Sequence, residues 1–394
     1  MKLFVRLVAL FSFTLAIASQ SFADGVVVRV VNTSQISQLV ADYSAILGYK
    51  EAGSSPFVRF EVARQNVDTL ESLLEVDSRI VWVEDEDSFD APENQSGHGS
   101  TVAAIYDRNA SFAQNTGIWN QVNFNAITRR LMPIRVGIVD TGISRLQPTI
   151  RRNVVASASF VPGSSTIDDV PQNLDTNLNG KFDEGAGHGT MIAGIILQIV
   201  PNTRLVVAKS ADSDGIATSW SVIEGVVFCI ENGAKVINVS LGSQNKLTGF
   251  SEFLDWVDSM GTTVVSPIGN NGLKMTLFPA GYSSVICVSG LLPNNVKAPF
   301  SNWESEARVA APATGIRSAW HDGGTAVWSG TSFSAPLVTG FIAAGLSLSP
   351  FKSPSQIRNA IKNSGRNIDN LNLNYRGQLG KLLDFKSLMT FFRR

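Results

Sequence analysis

From residue 135 onward the chain repeats one pattern. A short, almost unbroken apolar run is followed by a longer stretch whose apolar residues recur every three or four positions. The runs are Val136-Gly137-Ile138-Val139, 204–208, Val236-Ile237-Asn238-Val239, 263–265 and Val285-Ile286-Cys287-Val288. Runs this short and this apolar fit strands buried on both faces. The stretches between them, such as 220–231 and 253–260, have helical spacing. Strand and helix in alternation predict an α/β fold, a parallel sheet with helices on both faces.

Residues 24–88 follow a different rule and read as a small α+β unit. A strand is expected over 26–31 and a helix from Ile36, Leu39, Val40, Tyr43, Ile46 and Leu47. Gly53-Ser54-Ser55 is a turn. Val58, Phe60 and Val62 alternate with Arg59 and Glu61, Leu70, Leu73 and Leu74 mark a second helix, and 80–83 a last strand. If 49–52 adds one more strand, the order is β-α-β-β-α-β, the ferredoxin-like arrangement. The segment 84–97 then carries Asp85, Glu86, Asp87, Asp90 and Pro92 before Ser96 and Gly97. That composition suits an exposed linker open to proteolysis.

The first residues read as a signal peptide. Lys2 and Arg6 precede an apolar run over 7–18, broken only by Ser12 and Thr14, and Ser21-Phe22-Ala23 supplies small residues for cleavage. The run falls short of the ~20 apolar residues of a membrane span, so export and loss of the segment are expected rather than an anchor. The division is 1–23 signal, 24–88 small unit, 89–134 linker and start of the mature chain, and 135–394 main domain.

With 394 residues, 44% hydrophobic and 16% charged, the chain suits a large core plus a smaller one. A net charge of -1 and the absence of any basic arm exclude nucleic acid or an anionic membrane as expected partners. Cys229 and Cys287 are the two cysteines. In an exported protein they can pair; the alternative is two small buried apolar residues.

Three glycine-rich segments carry the candidate chemistry: Asp140-Thr141-Gly142, Gly187-His188-Gly189-Thr190 and Gly330-Thr331-Ser332. A serine hydroxyl becomes a nucleophile when a base removes its proton. Histidine titrates near neutrality, and a carboxylate holds its tautomer. The chain has three histidines. His98, in Ser96-Gly97-His98-Gly99-Ser100, imitates the His188 segment, but it precedes Asp140 and has Ala104 where Gly194 follows His188. His321, beside Asp322-Gly323-Gly324, reads as a turn.

Asp140, His188 and Ser332, in this order and packaging, resemble the subtilisin-like serine peptidases over roughly 135–390. The resemblance implies a serine endopeptidase working through an acyl-enzyme, with Asn270 after Gly269 as an oxyanion donor. It also implies that Ser240-Leu241-Gly242 is the strand on which a peptide substrate lies, with Gly269 beside it. Residues 24–88 would be an inhibitory propeptide removed by self-processing. No cofactor is required for such chemistry, and the partners are a protein or peptide substrate and the chain's own propeptide. A monomer released to the periplasm or the cell exterior is expected. A silent binding scaffold and a peptide ligase or macrocyclase are the alternatives on the same fold.

Two departures stand out. Phe333-Ser334 replace the usual Met-Ala after the nucleophile, and Pro267-Ile268 replace small residues in the wall of the first specificity pocket. Before His188, the segment 175–184 offers Asp175, Asn177, Asn179 and Asp183 as oxygen ligands, with Gly180 at the sixth position of a calcium-type loop. The terminal Glu is missing, Ala186 standing in its place, so the segment is either a structural calcium site or a polar turn-rich loop.

Overall fold

The computed structural model describes residues 24–92, 115–125 and 132–393. His98 and the signal segment lie outside them. The main domain is built on eight strands, all parallel, in the order Lys381–Leu382, Ala307–Pro312, Val285–Leu291, Thr263–Pro267, Val236–Val239, Arg135–Asp140, Arg204–Lys209, Val154–Ser159. The five expected strands are all present. Their residues are almost entirely buried, because helices cover both faces. His188–Ile199 and Thr331–Leu346 pack together on one face. Ser219–Glu231 and Thr248–Ser259 cover the other. The chain crosses over Arg135–Asp140 between its left and right neighbours, so Asp140 ends the strand at which the sheet order reverses. Ligands collect at such a point, outside the carboxyl ends of the strands.

The small unit has four antiparallel strands in the order Ile46–Glu51, Phe57–Val62, Asp24–Val30, Ile80–Asp85, with helices Ile36–Asp42 and Val67–Leu74. This is the expected β-α-β-β-α-β order. The first helix stops at Asp42, and Ile46 and Leu47 belong to the next strand. Ile46 is buried and Leu47 exposed, a period of two that only pairing with Phe57–Val62 selects. Cys229 and Cys287 are buried free thiols, and burial pushes both well above their ordinary range.

The small unit docks on the main domain through its open sheet face. Phe57 stands edge-on to Phe253 at 5.0 Å and to Trp256 at 5.4 Å. Glu84 accepts the N–H groups of Thr248 (2.7 Å) and Gly249 (3.0 Å), satisfying donors that a helix start cannot satisfy itself. Burial raises the Glu84 carboxyl above its ordinary range. Across the contact, burial raises Glu224 to about 7, opposed by Lys50 and Arg59 and assisted by Glu86. Both groups are raised, so each contributes to docking below its ordinary range, and the Glu224 contribution is lost as pH climbs through about 7. Hydrogen exchange of residues 24–85, corrected for intrinsic rates, is expected to show stronger protection near about pH 5 than near about pH 8. Glu224→Gln should flatten that difference; an unchanged profile in the variant would refute the assignment.

Candidate active site

His188 opens its helix behind Gly187, whose φ of 90° makes it the cap. Its Nδ1 lies 2.7 Å from Asp140 Oδ1, with both side chains buried. The same Oδ1 accepts the Thr141 N–H at 2.8 Å. Thr141 Oγ1 in turn accepts the Gly189 N–H at 2.9 Å, tying the strand end to the helix start. A Cβ on Gly189 would stand 2.4 Å from the Gly142 carbonyl oxygen and 3.1 Å from Asp140 Oδ1. The glycines around the histidine therefore let two backbones meet at the carboxylate.

Ser332 is the second residue of Thr331–Leu346. Pro336 lies four residues on and has no N–H to give the Ser332 carbonyl. That carbonyl accepts the Ser240 hydroxyl instead, at 3.1 Å. Asn238 Nδ2 donates to Ser240 Oγ at 2.8 Å, and Thr339 Oγ1 donates to Asn238 Oδ1 at 3.1 Å. A buried polar chain thus joins the Ser240 edge to the helix of Ser332.

Asn270 is buried, and its carbonyl oxygen accepts both the N–H (2.9 Å) and the hydroxyl (2.8 Å) of Thr331. This fixes the amide so that its NH2 is the end turned the other way, as an oxyanion donor requires. Gly269 has φ +115°, and a Cβ there would meet Asn302 Nδ2 at 2.4 Å. Asn270→Ala is expected to lower kcat by about 10²–10³ with KM little changed, the pattern of an interaction made only in the transition state. Steady-state kinetics on a chromogenic peptide would show it; a rise in KM alone would assign Asn270 to ground-state binding.

The edge at Ser240-Leu241-Gly242 is occupied by the chain itself. Ser88–Asp90 pairs antiparallel with Ile216–Thr218, and Asp90 and Gly242 exchange both backbone hydrogen bonds, at 2.9 and 2.8 Å. Phe89 is buried there, 5.2 Å from the Phe250 ring.

The two departures have distinct outcomes. Phe333 is fully buried, its ring 5.3 Å from the His188 ring and 5.0 Å from Trp328, which meets His188 edge-on at 5.8 Å. The Met-to-Phe exchange therefore builds an aromatic wall behind the imidazole. Ile268 packs with Ala280, Cys287 and Ala307. Pro267, the last residue of the strand, is buried as well. His321 lies in the turn between the strands Ile316–Ala319 and Thr325–Trp328, where its carbonyl accepts the Ser144 hydroxyl.

Asp175 accepts the N–H groups of Asn179 (2.9 Å) and Gly180 (3.1 Å), and Asn177 also accepts from Asn179. Asp183 is engaged elsewhere. Its carboxylate accepts the N–H groups of Gln172, Asn173 and Leu174 and the Ser213 hydroxyl, which hold it below the ordinary carboxylate range against the opposing effect of burial. Among the described residues no group of three or more His, Cys, Asp or Glu is placed to hold a metal. The four residues expected to share one ion do not share one bonding environment. No helix among the described residues is long and apolar enough to cross a membrane.

The sequence profile of the Subtilase family matches residues 133–378. Subtilisin DY of Bacillus licheniformis is 33% identical over 248 residues, which span 60% of this chain and 84% of that protein. Thermitase of Thermoactinomyces vulgaris is 33% identical over 244 residues, 59% of this chain and 81% of thermitase. Among solved structures, a cold adapted subtilisin-like serine proteinase matches with a TM-score of 0.57 and 26% identity, over 68% of this chain and 97% of that one. Fervidolysin from Fervidobacterium pennivorans, a keratinolytic enzyme related to subtilisin, shares the fold at a TM-score of 0.69 and 19% identity, over 94% of this chain and 62% of its own.

Proposed function

The chain belongs to the subtilase family of serine endopeptidases, and from that membership we propose that it is an exported enzyme made as a self-processed zymogen. The observation that carries the catalytic reading is the contact between His188 Nδ1 and Asp140 Oδ1 at the carboxyl end of the sheet. Ser332 attacks the scissile carbonyl while His188 accepts its proton, and Asp140 holds the imidazole tautomer. The Asn270 amide and the Ser332 N–H hold the oxyanion. His188 then protonates the leaving amine, and water resolves the acyl-enzyme. No cofactor enters these steps. Of the expected calcium ligands, Asp175, Asn177 and Asn179 remain as candidate oxygen donors, with Asp183 employed in bracing residues 172–174.

A peptide substrate would add a strand beside Ser240-Leu241-Gly242. Asp90, two residues beyond the 24–88 unit, already pairs with Gly242, and Phe57 packs that unit against Phe253 and Trp256, which supports residues 24–88 as an inhibitor that the enzyme must displace. Cleavage after Ala23 and action as a monomer outside the cytoplasm complete the reading. A fluorophosphonate probe tests it. Covalent label is expected at Ser332 and should be lost in Ser332→Ala; label that persists in the variant would overturn the nucleophile.

A further inference from the structure

We propose that Lys209 and Asp169 are positioning residues for the His188–Asp140 pair. The inference rests on the protease reading and adds two groups to it. Lys209 ends the strand beside Arg135–Asp140 and stands opposite Asp140 in register. It is 1% exposed, and an ammonium group is rarely buried without partners. Its Nζ donates to the Thr141 carbonyl at 2.5 Å and to the Asp168 carbonyl at 3.3 Å. One cation therefore ties the backbone just after Asp140 to the loop segment that carries Asp169.

Asp169, also 1% exposed, reaches the helix of His188. Its Oδ1 accepts the Gly187 N–H at 2.8 Å, and its Oδ2 accepts the Thr190 N–H at 2.9 Å and the Thr190 hydroxyl at 2.6 Å. The cap residue is a glycine and offers no side chain of its own, so a carboxylate from 18 residues upstream does the capping. The links close a ring: Asp140, Thr141, Lys209, the Asp168–Asp169 segment, the start of the His188 helix, and back to Asp140.

The ring also sets the field around the pair. Asp140 Oδ2 is buried with no hydrogen-bond donor among the described residues, so its charge is left to longer-range compensation. Burial pulls the Lys209 ammonium below its ordinary range, while Asp169, Asp212, Asp140 and Asp168 hold it up. Around His188 stand Asp140 in direct contact, Asp169 on the Gly187 and Thr190 N–H groups, the rings of Trp328 and Phe333, and Trp320 and His321 against Gly187, with Lys209 tied to Thr141. The Lys209 charge disfavours an imidazolium at His188, and the Asp169 charge favours one.

The two neutral variants should therefore act in opposite senses. The rate of fluorophosphonate labelling, followed against pH in the self-processed enzyme, reports His188 losing its proton. Lys209→Met should move the acid limb to higher pH and Asp169→Asn to lower pH, each by about half a unit to one unit. Lys209→Arg, which keeps the charge, should restore the wild-type limb. Limbs that stay fixed while thermal midpoints fall, or that move in the same direction, would overturn the inference and leave both residues as stabilisers only. If Lys209→Met does not fold, Asp169→Asn decides alone: a downward shift supports the proposal, a fixed limb ends it. A wild-type enzyme that takes no label defeats the protease reading itself, which separates the two failures.

Discussion

Ser332→Ala is expected to reduce peptide hydrolysis by about 10⁶-fold, the scale on which loss of a triad nucleophile acts in subtilisin. The reason lies in how the parts depend on each other. His188 has no proton to accept once the hydroxyl is gone, and Asp140 has no imidazolium to stabilise. Adding His188→Ala to the first variant should therefore cost little more, because residues that act as one unit are non-additive. The remaining rate comes from the oxyanion donors and substrate binding alone. Self-processing should stop as well, so the variant should be recovered with residues 24–88 still attached. Hydrolysis of a chromogenic peptide, with intact mass of the purified chain, checks both outcomes. Activity within tenfold of wild type would rule out Ser332 as the nucleophile. The side chain is small, so a fall in activity with an unchanged thermal midpoint separates chemistry from folding.

Asp140→Asn is the second large effect, expected to lower kcat by about 10⁴ with KM nearly unchanged. The substitution keeps the shape of the side chain and removes its charge. Oδ1 is the atom that meets both the Thr141 N–H and His188 Nδ1. An amide with its oxygen at that place still accepts both bonds but offers no counter-charge to the imidazolium formed when Ser332 gives up its proton. Turned the other way, its NH2 faces Nδ1 and imposes the wrong tautomer. Either orientation removes a stabilisation present only after proton transfer, so kcat carries the loss. A variant within tenfold of wild-type kcat would assign Asp140 to structure rather than catalysis.

Much of the architecture is legible in the chain because it rests on short-range pattern. Five of the eight parallel strands carry short apolar runs rich in Val and Ile, a pattern that follows from burial on both faces. The other three lack it. Val154–Ser159 alternates with serine and alanine at one edge, Ala307–Pro312 is alanine-rich, and Lys381–Leu382 is two residues long. These pair because a neighbouring strand presents open hydrogen-bonding groups, which their own residues do not announce. The first helix of the small unit fails for the same reason: Ile46 and Leu47 fit the helical period and were claimed by a sheet.

The site divides along the same line. Asp140, His188, Ser332 and Asn270 stand out because chemistry confines each to one residue type among glycines. The residues that aim them do not. Thr331 orients Asn270 across 61 positions, and Asp169 caps the His188 helix from 18 positions upstream. Lys209 meets Thr141 across 68 positions. A threonine, an aspartate or a lysine has no signature for such a task, since each residue type is common at exposed positions and only the fold shows that these three are buried. By itself, then, the sequence determined the α/β sheet and the split α+β unit before it, and offered a candidate acid, base and nucleophile in order, because periodicity and a small set of reactive groups are local properties. Only the tertiary structure decided that Ser88–Asp90 lies on the Gly242 edge, that Phe333 and Trp328 wall the imidazole, and that a buried lysine stands beside the carboxylate. Those contacts arise when the fold brings distant backbone groups within about 3 Å and removes the water that would otherwise satisfy them.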